Sequence, residues 1–162
     1  MLLGCAYGAP SHPAFATLPA LPGAAAPRVL VVEDTHFFQK LIINLLSGDG
    51  FDVTLANNGS EGLEKLSAGQ FDLVVSDIEM PVMDGFTFAQ RVRQDGRYSS
   101  LPMLAVTTLS SPENRAKALS CGFDAFEVKL DGGTFLETIR ALLKRRQSTA
   151  IVPKSAAGSG GR

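Results

Sequence analysis

The chain has 162 residues, 45% of them hydrophobic and 19% charged, with a formal net charge of -1. That length suits about one domain, and the apolar content is enough to build a core, which excludes wholesale disorder. A near-neutral balance supplies no global field for nucleic acid or an anionic membrane. The two cysteines, Cys5 and Cys121, are far apart and lack metal-ligand spacing, so a reducing cytoplasmic setting is expected. No apolar run reaches the roughly 18 residues that span a bilayer.

Residues 1–27 are rich in Ala, Pro and Gly and nearly free of charge. They read as a linker or tail, because Pro10, Pro13, Pro19, Pro22 and Pro27 would interrupt any helix. From position 28 strands and helices alternate. Val29–Val32 is a short continuous apolar run, the mark of a buried parallel strand. Phe38, Leu41, Ile42 and Leu45 follow at helical spacing, closed by Gly48 and Gly50. A second strand covers Asp52–Leu55, and Asn58 with Glu61 forms a capping box for a helix through Leu63 and Leu66. Leu73–Val75 is the third strand. A turn with Pro81 and Gly85 leads into a helix bearing Phe86, Ala89 and Val92. Met103–Val106 is the fourth strand, and Ser111-Pro112 and Gly122 bracket the next helix. Ala125–Val128 is the fifth strand. Thr134 and Glu137 form a second capping box, and the last helix carries Phe135, Ile139, Leu142 and Leu143. Lys144-Arg145-Arg146 falls where that helix should end, suited to the helix dipole rather than to nucleic acid. Residues 148–162 have the composition of a flexible tail.

Five βα units imply an α/β fold with one parallel sheet and helices on both faces. Ligands of such sheets bind outside the carboxyl ends of the strands. Those ends carry Glu33 and Asp34, then Asp77, then Thr107 and Thr108, then Lys129; Ala56 and Asn57 suggest no chemistry. Three carboxylates share a small site only if a cation offsets their repulsion, and oxygen ligands suit Mg²⁺. A lysine adds a point charge for a phosphate oxygen, and an aspartate can form an acyl phosphate. With no Gly-rich phosphate loop after the first strand, nothing marks a nucleotide site. His36 beside the acidic pair reads as an exposed residue of the first helical turn, and Cys121 as packing.

These residues together resemble the receiver domains of two-component response regulators. The resemblance rests on Glu33-Asp34, on Ser76-Asp77 leading through Met80-Pro81 to Met83-Asp84-Gly85, on Val106-Thr107 and on Val128-Lys129, and covers residues 28–147. It implies a flavodoxin-like doubly wound (βα)5 fold, with strand order 2-1-3-4-5. It makes Asp77 the phosphoacceptor and Asp34 a Mg²⁺ ligand. Glu33 would act nearby or through water, and the Glu79 backbone carbonyl would supply another ligand. Lys129 would pair with the phosphoryl group, Thr107 would turn its hydroxyl toward it, and Thr108 would donate its amide. Phe126 would be an aromatic switch moving with Thr107. The implied partners are a histidine kinase or histidine phosphotransfer domain as donor, and a downstream signalling protein on the face of the last two helices and fifth strand. The receiver would catalyse only its own phosphorylation and dephosphorylation.

Ser76-Asp77-Ile78-Glu79-Met80-Pro81, Asp95-Gly96-Arg97-Tyr98 and Lys129-Leu130-Asp131 resemble, more narrowly, receivers attached to chemotaxis proteins, including hybrid histidine kinases and coupling-protein fusions. The leader would then be an interdomain linker. Leu130 departs from the proline usual after the lysine. A non-proline cis bond costs roughly 2.5–4 kcal/mol, so a trans bond is expected there. Two other classes compete: a haloacid-dehalogenase-type phosphatase with Glu79 as second acid, and a degenerate receiver acting only as a scaffold.

Overall fold

The computed structural model describes residues 25–150 apart from 109, 130 and 131. The leader before residue 25, Cys5, the tail after residue 150 and the Lys129–Leu130 bond lie outside the described residues.

The elements in chain order are β1 (Arg28–Val32), α1 (His36–Gly48), β2 (Asp52–Ala56), α2 (Gly59–Ala68), β3 (Leu73–Asp77), α3 (Gly85–Gln94), a 3-10 turn (Gly96–Tyr98), β4 (Met103–Thr107), α4 (Pro112–Cys121), β5 (Ala125–Val128) and α5 (Gly132–Ala150). The five strands form one parallel sheet in the order β2-β1-β3-β4-β5, as the flavodoxin-like expectation has it. Side chains of successive strand residues alternate between faces, so the continuous apolar runs feed two cores. Val29, Val31, Val75 and Leu104 pack with Ile42 and Leu46 of α1 and with Ile139 and Leu142 of α5. Leu30, Val32, Val74, Met103 and Ala105 pack with Leu66 of α2, Phe88 and Val92 of α3, and Ala118 and Cys121 of α4.

Local chemistry sets most element ends. The Asn58 side chain accepts from the Glu61 amide, Asp84 from the Thr87 amide, and Ser111 from the Asn114 amide, with Pro112 opening α4. Gly122 closes α4 at φ 117, and a Cβ there would also meet Arg93 Cγ at 2.5 Å. That space belongs to the Arg93 guanidinium. Its Nη1 donates to the carbonyls of Tyr98 at 2.7 Å and Leu101 at 2.8 Å. Its Nε donates to Gly122 at 2.9 Å and its Nη2 to Asp124 at 2.9 Å. Asp124 also accepts the Met103 amide at 2.8 Å, which ties the start of β4 to the α4–β5 connection.

Three expectations need correction. Thr134 is not a cap, because α5 already begins at Gly132; its hydroxyl donates instead to Glu127 at 3.1 Å. Thr138 donates to the other oxygen of the same carboxylate at 2.5 Å. The basic run lies within α5, which continues to Ala150, and Arg146 pairs with Asp72 at 3.1 Å. On α1 the inward face is Gln39, Ile42 and Leu46, while Phe38, Leu41 and Leu45 are half-buried. A polar residue thus takes a core position, with Gln39 Nε2 donating to the Glu33 carbonyl at 2.6 Å and to Asn57 at 3.0 Å.

Candidate functional site: an acidic rim with a buried lysine

Parallel register brings the chemistry together. Val32 pairs with Ser76, Asp77 with Val106, and Thr107 with Val128. The residues that end or follow these strands therefore emerge side by side. Oxygen atoms of Glu33, Asp34 and Asp77 lie within 4.8 Å of one another. Glu33 is 1% exposed and Asp77 5%. Lys129 Nζ sits 2.8 Å from Asp77 Oδ2 and 2.8 Å from Glu33 Oε2. The other Asp77 oxygen, Oδ1, accepts the amides of Ile78 at 2.7 Å and Glu79 at 3.3 Å.

The turn after Asp77 is built to come close. Gly85 donates its amide to the Ile78 carbonyl at 2.9 Å, and a Cβ on it would stand 2.2 Å from the Asp77 carbonyl oxygen. Only glycine fits there. Before it, Met83 donates to the Pro81 carbonyl at 2.8 Å across Val82, which is held at φ 70 and is 85% exposed. A branched side chain at positive φ is strained.

Charge accounting favours a cation. Burial pushes the Glu33 carboxyl above its ordinary range; Lys129 opposes that shift and the charge of Asp77 adds to it. Burial also works against the charge of Lys129, but Asp77 and Glu33 outweigh it and hold the ammonium above its usual value. Three carboxylates against one ammonium leave an excess of negative charge. Glu33 Oε2 is buried and faces the Lys129 ammonium at 2.8 Å, with no further donor among the described residues. An acidic oxygen set in which one ammonium serves two buried carboxylates fits a hard divalent ion.

The remaining expected residues are placed as follows. Thr107 is fully buried at the end of β4, and its carbonyl accepts the Lys129 amide at 2.8 Å. Thr108 is exposed, and its hydroxyl donates to Glu79 at 3.4 Å. Phe126 is 5% exposed in the core with Ala118 and Cys121. His36 is outside the acidic cluster, its Nδ1 lying 3.0 Å from Gln39 Oε1. Gln39 was missed: a helical period does not distinguish a buried amide from an exposed one. The Phe38 ring, 4.1 Å from Lys129 Nζ, was read only as part of an apolar face.

Residues 29–139 match the response regulator receiver domain family, and the chain belongs to it. The sensor histidine kinase CheAY of Helicobacter pylori is 35% identical over 113 residues, which are 68% of this chain and 14% of that protein. The chemotaxis response regulator CheY4 of Vibrio cholerae superposes with TM-score 0.68 at 33% identity, over 72% of this chain and 98% of that one. The response regulator TrrA of Thermotoga maritima, in complex with Mg²⁺-BeF, gives 0.66 at 30% identity, over 72% and 98%. The chain spans between 14% and 54% of the length of the curated relatives it matches. Membership of the receiver family sets aside the haloacid-dehalogenase alternative. Among the described residues no helix is long and apolar enough to cross a membrane.

Proposed function

We propose that this receiver accepts a phosphoryl group on Asp77 from a phosphohistidine of a histidine kinase or phosphotransfer domain. The bond from phosphorus to the donor imidazole breaks as one to an Asp77 carboxylate oxygen forms. The observation that carries the reading is the buried Asp77 carboxylate, 2.8 Å from Lys129 and within 4.8 Å of the Glu33 and Asp34 oxygens.

Asp34 and Asp77 would ligate Mg²⁺ directly, with Glu33 alongside or through water and the Glu79 carbonyl as a further ligand. Bound there, the metal would offset charge on the transferring group. Lys129 would take up a phosphoryl oxygen as its Asp77 contact is replaced. The Thr107 hydroxyl and Thr108 amide would close on the same group, and Phe126 would repack as Thr107 moves. Such a change biases an existing equilibrium between two conformations. The readout face would be α4, β5 and α5, where Leu119 is 43% and Val128 39% exposed. The likeness to CheAY and CheY4 supports a chemotaxis pathway and a cytoplasmic setting. The receiver would turn over only its own acyl phosphate. An assembled acid cluster and a paired lysine argue against a scaffold that has lost its chemistry.

Incubation with Mg²⁺ and acetyl phosphate tests this. Intact mass should rise by one phosphoryl group, and Asp77→Asn should abolish the gain. Absence of modification under conditions that label other receivers would refute the assignment.

A further inference from the structure

Among the described residues the ammonium of Lys129 has three close partners. Two are the carboxylates already described. The third is the ring of Phe38, whose centroid lies 4.1 Å from Nζ. We propose that Phe38 is a positioning residue for Lys129: its ring seats the ammonium at the site through the steps in which both carboxylates change partners. The proposal rests on the reading of Asp77 as phosphoacceptor and extends it to a residue outside the acidic set.

Both carboxylates that hold Lys129 change partners during phosphorylation. When Asp77 takes a phosphoryl group, one of its oxygens becomes the bridging oxygen of a mixed anhydride and the carboxyl's attraction for Lys129 falls. When a divalent ion enters the cluster, Glu33 and Asp77 are drawn toward it. The contact to Glu33 is no closer than the contact to Asp77, since both carboxylates stand 2.8 Å from Nζ. A lysine head sits on a flexible four-carbon stem. Until it meets a phosphoryl oxygen, weakening of both anchors would let it wander at the moment its position counts.

The ring responds to neither event. It carries no net charge and offers no oxygen to a hard cation, so metal entry does not compete for it. Its face attracts an ammonium through the ring quadrupole, most strongly where water is excluded. Water is excluded here, since the Lys129 side chain is 4% exposed. The ring is itself braced, with Phe37 meeting it edge-on at a centroid distance of 5.2 Å and 75° between planes. Phe38 lies in the first turn of α1, five residues after Glu33. One short segment therefore supplies two carboxylates of the site and the neutral seat of its lysine.

The test uses the full chain and two variants, Phe38→Leu and Phe38→Tyr. Leucine keeps the apolar bulk without the quadrupole; tyrosine keeps the aromatic face. The spectroscopic readout is the ε-methylene resonance of Lys129, assigned with Lys129→Arg. A ring 4.1 Å from Nζ should shift it upfield. The shift should be present in the wild type and Phe38→Tyr and absent in Phe38→Leu. The kinetic readout is labelling by acetyl phosphate with Mg²⁺. Phe38→Leu should slow it on the order of tenfold, the scale of one desolvated cation–π contact. Phe38→Tyr should recover most of the rate. Mg²⁺ affinity by calorimetry should stay within about threefold in both variants, because the ring is not a ligand. An unchanged rate in Phe38→Leu overturns the proposal. So does equal impairment of the two variants, which would show that shape rather than the aromatic face matters. If the wild type itself is not labelled, the Asp77 reading fails, whereas an unshifted Lys129 resonance in the wild type overturns the seat alone.

Discussion

Lys129→Met exposes the electrostatics of the rim most directly. The substitution keeps an unbranched side chain and removes the only cation within ion-pair distance of Glu33 and Asp77 among the described residues. Each contact is 2.8 Å, a gross attraction of about 6 kcal/mol at an effective dielectric of about 20. Desolvation of three buried charges cancels most of that sum. What remains when one partner is deleted is about 3–5 kcal/mol, since two carboxylates are left buried and facing each other. The loss should depend on pH and on metal. Glu33 already has a raised carboxyl in the wild type, and losing Lys129 removes the influence that held it down. A carboxyl raised by folding gives its full contribution to stability below the unfolded value of 4.5, and that contribution is lost as pH rises through the folded value. The deficit of Lys129→Met should thus be large at neutral pH and shrink toward pH 4.5. Mg²⁺ should also shrink it, by about 1.4 kcal/mol for each tenfold by which the variant, freed of the competing ammonium, binds the ion more tightly than the wild type. Urea unfolding at two pH values, with and without Mg²⁺, reads all of this from the midpoints. A deficit that is the same in all four conditions would refute the charge argument and leave only lost packing.

Val82→Gly should stabilise the fold by about 1 kcal/mol, because relief of a positive-φ branched residue exceeds the entropy glycine adds to the unfolded chain; a lower urea midpoint at constant slope would contradict it. Glu61→Gln should cost about 1 kcal/mol at neutral pH, after discounting for a side chain that is 29% exposed. The Lys65 ammonium, with the Asn57 amides, lowers the Glu61 carboxyl from 4.5 to about 2. The stabilisation is therefore present above pH 4.5 and lost as pH falls toward 2, so wild type and variant should converge in acid, and a gap that persists at pH 2 would refute the assignment. Thr108→Ala removes the hydroxyl bonded to Glu79 at the site's edge and should shorten the acyl-phosphate lifetime several-fold, by opening the approach of water; unchanged hydrolysis of the labelled protein would count against that role.

Fold and rim were legible in the sequence for a topological reason. Parallel strands end on one side, so whatever follows each apolar run must meet, and Glu33, Asp77, Thr107 and Lys129 could be placed together without any distance. Caps with a local signal, such as Asn58 and Ser111-Pro112, were equally readable. Asp84 before Gly85 carried the same signal and was overlooked. Non-local partnerships were not legible. Nothing in the sequence says that the Thr134 hydroxyl turns to Glu127 rather than capping α5, or that Gln39 turns inward to hold the Glu33 carbonyl. Those choices follow from which polar groups each helix meets once it has docked, and periodicity averages over that.

Arg93 couples pieces of the chain that topology keeps apart. One guanidinium joins α3, the residues on either side of the Tyr98–Leu101 turn, and the connection between α4 and β5. Its partners are mostly backbone carbonyls, so letting go one at a time would leave a half-buried charge short of acceptors. Opening of this end should then be concerted, with amides from Tyr98 to Met103 and around Gly122 exchanging with solvent in a single opening event. The acidic rim lies at the other ends of the strands, outside this unit. A protease probing the native protein would meet an end that yields all at once.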